Sequence, residues 1–230
     1  TAEDICRLLL ESGVFAFLRQ RPYDVVPTPG VMPKAIFISA FSKMPLAADF
    51  SYVVKGQEED FKKGVSTLAR IAKVYVGISA EQKNTFLAEL DNAELNVFDG
   101  PNPAGLVGVQ INHVSPVNKG EIVWTLGAEE VLFIGRLVRT GRVDFSRLIA
   151  FGGSEVKHPA YRRCKVGQSL EVLLDDALKP AGHHVRVIDG NPLVGRKANG
   201  FLGAHTTEVC VIPEGDDVNE VLGWIMPRFG

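Results

Sequence analysis

Apolar residues recur along this chain with two periods, and their alternation predicts the architecture. In 3–12 (EDICRLLLES), Ile5, Leu8 and Leu9 share one helical face, and Gly13 stands where such a helix ends. An apolar turn, 14–18, follows. The stretch 22–34 carries Pro22, Pro27, Pro29, Pro33 and Gly30, so it predicts an irregular surface loop. Beyond it, short apolar runs of strand length at 34–40, 74–78, 95–98 and 121–126 alternate with helical patterns at 57–71, 80–87, 103–111 and 128–139. Ser79 is placed to cap the helix at 80, Pro103 to open the next, and Gly141 to close the last. Strand and helix in repeated alternation mean βαβ units, hence a mainly parallel sheet covered by helices with right-handed crossovers. This α/β domain fills residues 1–142.

After Arg142 the texture changes. Strands at 147–151 and 161–166 flank the turn at His158-Pro159 and predict a hairpin. Ser169 caps a short helix carrying Leu170, Leu173 and Leu174, and strands follow at 185–188 and 208–212. Hairpin, helix, then further strands is the order of a β-grasp, a sheet wrapped over one helix, here spanning 143–213. The segment 214–230, acidic and then apolar, is expected to lead into further chain, and the abrupt start in a helix suggests a piece of a longer polypeptide.

The 230 residues are 46% hydrophobic and 23% charged, which suffices for a real core, and the net charge of −2 lacks the basic stripe of a nucleic-acid binder. Cys6, Cys164 and Cys210 are odd in number and far apart, arguing against a disulfide framework or a cysteine-ligated metal or cluster. No apolar run is long enough to span a bilayer.

Candidate chemistry is sparse. The stretch 98–108 (FDGPNPAGLVG) runs from strand to helix start. Asn102 there is placed as a cap and Pro103 as the first helical residue, and backbone amides near Gly105 and Gly108 are candidates to hold an anion at the strand ends. Plain capping and turn geometry explains the same residues. His113 has no partner at recognisable spacing. His183 and His184 are adjacent, so they point to opposite sides of an extended segment, and His158 and His205 stand alone; no metal site is expected. Glu58, Glu59 and Asp60 read as a solvated, dipole-matched helix start. Arg19 and Arg21 could grip a phosphate or carboxylate, with surface salt bridges as the simpler role. The loop at 190–195 (GNPLVG) is a strong turn and a candidate ligand loop. No catalytic residue emerges, so periodicity and spacing alone name no function.

The residues themselves resemble a known family. The runs 11–23 (ESGVFAFLRQRPY), 33–40 (PKAIFISA), 45–49 (PLAAD), 61–64 (FKKG), 100–108 (GPNPAGLVG), 213–215 (PEG) and 222–227 (LGWIMP) are similar to the A-subunit family of the sodium-translocating NADH:quinone reductases. That resemblance implies a Rossmann-like domain related to the flavin-binding fold of respiratory NADH dehydrogenase, followed by a β-grasp, soluble-ligand-binding domain. It implies a peripheral subunit on the cytoplasmic side of the bacterial inner membrane. Its partners would be the other subunits of a complex that passes electrons from NADH to ubiquinone and exports sodium, with flavins and iron–sulfur in those partners. Contact with quinone is left open. Flavin-binding relatives of the fold place a glycine-rich loop after the first helix. Here that place reads 14–22 (VFAFLRQRP), without glycine between Gly13 and Gly30, so no cofactor is expected in this chain.

Overall fold

The computed structural model describes residues 1–180 and 182–216. The 14 residues 217–230, most of the expected linker, lie outside the described residues. The first helix, α1 (Ala2–Glu11), starts in a capping box between Thr1 and Asp4, and Gly13, with φ +77°, turns the chain beyond it. A 3-10 turn, Val14–Phe17, leads into β1 (Arg19–Arg21). There follow β2 (Ala35–Ser39), α2 (Phe50–Val53), α3 (Glu58–Leu68), β3 (Lys73–Ser79), β4 (Glu94–Phe98), α4 (Val107–Val114), β5 (Val123–Gly127) and α5 (Ala128–Thr140). The second half holds β6 (Ser146–Gly152), β7 (Ala160–Lys165), α6 (Leu170–Leu174), β8 (Val185–Asp189), β9 (Arg196–Lys197) and β10 (Glu208–Pro213). The chain is thus a mixed α/β protein with two five-stranded sheets.

The first sheet has the order β1-β5-β2-β3-β4. Its β5, β2, β3 and β4 are mutually parallel, and β1 lies antiparallel on the β5 edge. Strands covered on both faces need apolar side chains on both, which is why β2 reads as an unbroken run. Ile36 and Ile38 enter the core under α1, α3 and α5, whereas Ala35 and Phe37 pack with Ile111 of α4. Helices α3 and α5 cross closely. A Cβ on Gly135 would stand 1.7 Å from the Asp60 carbonyl oxygen, so only glycine permits that approach. The second sheet, β7-β6-β10-β8-β9, pairs β6 with β7 as the expected hairpin, and β10 runs parallel to β6. Ser169 caps α6 by accepting from the Glu171 N–H at 3.2 Å.

Several expectations are corrected. The helix expected at 103–111 begins at Val107 and runs to Val114. Asn102 and Pro103 are joined by a cis peptide inside a turn, and Asn102 caps nothing. Residues 101–106 are used in tight turns, Ala104 N–H to Pro101 O and Leu106 N–H to Pro103 O. Gln110 then anchors α4, donating to Ser39 Oγ at 2.9 Å and Ala104 O at 3.2 Å. The helix expected at 80–87 is two 3-10 turns, Ala80–Gln82 and Phe86–Glu89. Ser79 and Gln82 form a capping box, but Gln82 is buried and its amide donates to Ala40 O, which ties that turn to the sheet. The pattern at 57–71 shortens to α3. Strands β1 and β9 are short and polar and helix α2 has four residues, too few to show a period, so the pattern does not predict them.

Candidate functional site

From β2 the chain moves through β3 to β4 in one direction, then returns through α4 to β5 on the other flank of β2. The strand order thus reverses at β2 and β5, and in open α/β sheets ligands lie outside the carboxyl ends of the strands at that point. Here Ser39 and Gly127, paired in register, form the floor of a crevice. The cavity above them measures about 390 Å³ and is bordered by Phe17, Arg19, Arg21, Asp24, Leu106 and His205, among others. Arg19 and Arg21 are two apart on β1, so both side chains leave the same face of the strand. Arg21 pairs with Asp24 at 3.4 Å and donates to Thr125 Oγ1 at 3.4 Å. Arg19 instead donates to the Ala16 carbonyl at 3.3 Å and to His205 Nε2 at 2.8 Å, and among the described residues it makes no salt bridge.

Behind the crevice lies a buried charge cluster. Arg147, from β6 of the second sheet, is 2% exposed. Its Nη2 donates to Glu130 Oε1 at 2.5 Å, and its Nη1 donates to the carbonyls of Ala204 and Thr206 at 3.1 and 2.7 Å. Glu129 Oε2 lies 3.6 Å from Arg147 Nε, and the guanidinium sits 5.3 Å from the Phe133 ring centroid. Burial would raise the Glu130 carboxyl, but the Arg147 charge and hydrogen bonding with His205 and Arg147 outweigh it and hold the group at about 2. For Glu129, burial dominates and pushes the carboxyl up to about 8, so it carries a proton at neutral pH. Gly127 completes the arrangement, since a Cβ there would stand 1.9 Å from Glu130 Oε2. Helix α5 is thus pinned to β6 of the second sheet by this ion pair, with a neutral acid beside it.

Of the residues singled out in the loop, Gly105 borders the crevice, while Asn102, Pro103 and Gly108 are exposed on the turn and helix start beside it. His113 Nδ1 faces the Val109 carbonyl at 2.8 Å. His183 faces Glu155 at 3.3 Å and His184 faces Asp216 at 2.9 Å, on separate partners. Among the described residues no group of three or more His, Cys, Asp or Glu is placed to hold a metal ion. Asp60 departs from the solvated helix end expected of it: it is buried and accepts from Arg139 at 2.6 and 3.2 Å. All three cysteines are free and buried, which pushes their thiols up. The loop at 190–195 closes on itself, Asn191 Oδ1 accepting from the Leu193 and Val194 amides. Sequence reasoning misses Glu129, Glu130 and Arg147. An acidic pair at a helix start and an arginine on a strand are ordinary in sequence, and only their burial marks them.

Phe15 and Phe17, in the glycine-free stretch after α1, are 3% and 6% exposed. Phe15 packs edge-on against Trp124 at 5.7 Å and Phe17 against Phe133 at 5.3 Å. Phe17 also borders the crevice.

Two family models match: one described as NqrA second alpha/beta domain over residues 1–143, and one described as NQRA C-terminal domain over residues 148–200. The chain belongs to the NqrA family. Similar relatives are the A-subunits of the Na(+)-translocating NADH-quinone reductases of two bacteria, Neisseria meningitidis serogroup C, 36% identical over 99% of this chain, and Yersinia pestis bv. Antiqua, 37% identical over 98%. The Vibrio atlanticus counterpart is 37% identical over 98%. The chain spans about half the length of these NqrA relatives, 50–51%. A solved NAD+-reducing [NiFe]-hydrogenase in the H2-reduced state shares the fold with a TM-score of 0.61 at 14% identity, covering 92% of this chain and 47% of that one. Among the described residues no helix is long and apolar enough to cross a membrane.

Proposed function

We propose that this NqrA chain is part of a cofactor-free, peripheral subunit of a sodium-pumping NADH:quinone reductase, facing the cytoplasm at the bacterial inner membrane. In this reading it is non-catalytic. It supports electron transfer from NADH to ubiquinone by organising partner subunits that carry the flavins and iron–sulfur centre. Residues 1–142 are a Rossmann-like domain and 143–213 a β-grasp domain, a reading supported by the parallel strand order of the first sheet and by the parallel first and last strands of the second. The observation that carries the proposal is the packing of Phe15 and Phe17. A nucleotide phosphate is held by backbone amides that approach it closely, and glycine is what permits that approach. Two buried phenyl rings occupy the turn where that backbone would stand. The purified chain is expected to show no flavin absorbance and no tight, stoichiometric binding of FMN or NADH by calorimetry. Tight, stoichiometric flavin would overturn the reading.

A second reading, a quinone or other small apolar ligand bound to the second domain, is favoured by one feature. A groove of about 990 Å³ runs between α6 and the strands β8 and β9, and exposed Val172 and Phe201 border it. Titration with a short-chain quinone, followed at the amides of 169–176, tests it. No shift there would dismiss it.

A further inference from the structure

We propose that the crevice at the carboxyl ends of β2 and β5 is a binding site for a small oxyanion of the phosphate or phosphate-monoester class, gripped by Arg19 and Arg21 and by the first amides of α4. This goes beyond the cofactor-free reading, which concerns a flavin nucleotide at the turn after α1, where Phe15 and Phe17 are packed. Three independent features converge. Residues two apart on a strand are roughly 7 Å apart, so the two guanidinium groups can close on one tetrahedral anion from the same face of β1. Helix α4 enters the crevice through Leu106 and Val107, and Leu106 supplies no side-chain cap. Among the described residues the Val107 and Gly108 N–H groups therefore have no capping partner, and they lie at the positive end of the helix. The cavity lies at the carboxyl ends of the strands where the strand order reverses.

The present partners of the two arginines are the kind an anion displaces. Asp24, which also borders the crevice, pairs with Arg21 at 3.4 Å through a carboxylate that is 58% exposed and free to swing outward. Arg19 rests on His205 Nε2. A guanidinium has only donors, so Nε2 accepts and the ring proton sits on Nδ1, 3.6 Å from Glu130 Oε1. Neither contact gives Arg19 a counter-charge. An oxyanion supplies one, with charge-assisted hydrogen bonds that the imidazole cannot match. The open crevice, about 390 Å³, takes a phosphate together with a small organic group.

The test is a titration of the full chain, isotope-labelled, at constant ionic strength, with inorganic phosphate in one arm and glycerol 3-phosphate in the other. The amides of Val107 and Gly108 are expected to shift saturably. Arg19→Gln should weaken binding by about tenfold or more, the worth of one charge-assisted hydrogen bond. Asp24→Asn should tighten it, and Arg70→Gln, at an exposed arginine away from the crevice, should leave it unchanged. Tighter binding of glycerol 3-phosphate assigns an organic monoester, and equal binding assigns free phosphate. Absence of saturable shifts at Val107 and Gly108, or equal affinity in Arg19→Gln and the parent with both folded by circular dichroism, overturns the proposal. That outcome leaves the cofactor-free reading untouched, because that reading rests on the packing of Phe15 and Phe17 and not on Arg19, Arg21 or the α4 amides.

Discussion

Glu129 and Glu130 are neighbours on one helix, both buried and both near Arg147, yet replacing each with glutamine should have opposite consequences. Glu130 falls from the ordinary glutamate value of 4.5 to about 2. At about 1.4 kcal/mol per tenfold change in proton affinity, its ionised form contributes about 3 kcal/mol to folding at neutral pH. Between about pH 2 and 4.5 the unfolded chain binds the proton and the folded one does not, so this stability is lost as pH falls through that window. Glu129 moves the other way, from 4.5 to about 8. From about pH 4.5 to 8 the folded state holds a proton that the unfolded state has released, so stability declines as pH rises, by about 3 kcal/mol between pH 5 and 7. Glu130→Gln removes the counter-charge of a buried guanidinium and should cost about 3–5 kcal/mol at pH 7. Glu129→Gln substitutes a neutral isostere for an acid that is already neutral. It should cost little at pH 5 and exceed the parent in stability at pH 8. Urea denaturation of the three proteins at pH 5, 6, 7 and 8, with linear extrapolation, measures both effects. The reasoning fails if Glu129→Gln is as damaging as Glu130→Gln at pH 8, or if the parent's stability does not decline between pH 5 and 8.

Three further outcomes follow from packing. Gly135→Ala drives a methyl group into the Asp60 carbonyl across the α3–α5 crossing and should cost about 1–3 kcal/mol, toward the upper end because both partners are helix backbone, as read from urea midpoints. Phe17→Ala empties a ring packed between Phe133 and Phe145 and should cost about 3–5 kcal/mol in the same assay. Ser169→Ala removes the cap of α6 and should cost about 1 kcal/mol, with hydrogen exchange accelerated at the Glu171 amide.

The alternation of periods is enough to predict most of the larger elements: β2 to β5, α3 and α5, the β6–β7 hairpin, and the capped α6. These are the segments whose side chains meet solvent and core in a regular order, so the order is written along the chain. Where a segment's role is set by what it touches, the pattern is silent. Arg19, Gln20 and Arg21 have no apolar period, yet the edge of β5 makes them a strand. Pro103 carries the signature of a helix start, but the turns through 101–106 and the anchoring of Gln110 on Ser39 move that start to Val107. The same division runs through the site. Residues 98–108 advertise a strand-to-helix turn, but only the return of the chain to the far flank of β2 brings Gly105 and Leu106 beside Arg19, Arg21 and His205. Nothing local distinguishes Glu130 from an ordinary acidic residue at a helix start. Its charge state, and the pinning of α5 to β6, arise because folding removes it from water and sets Arg147, 17 residues away, against it. Local chain chemistry fixes which segments can be helix or strand, whereas electrostatics and ligand-sized space depend on desolvation and on neighbours distant in sequence, which exist only once the chain has closed.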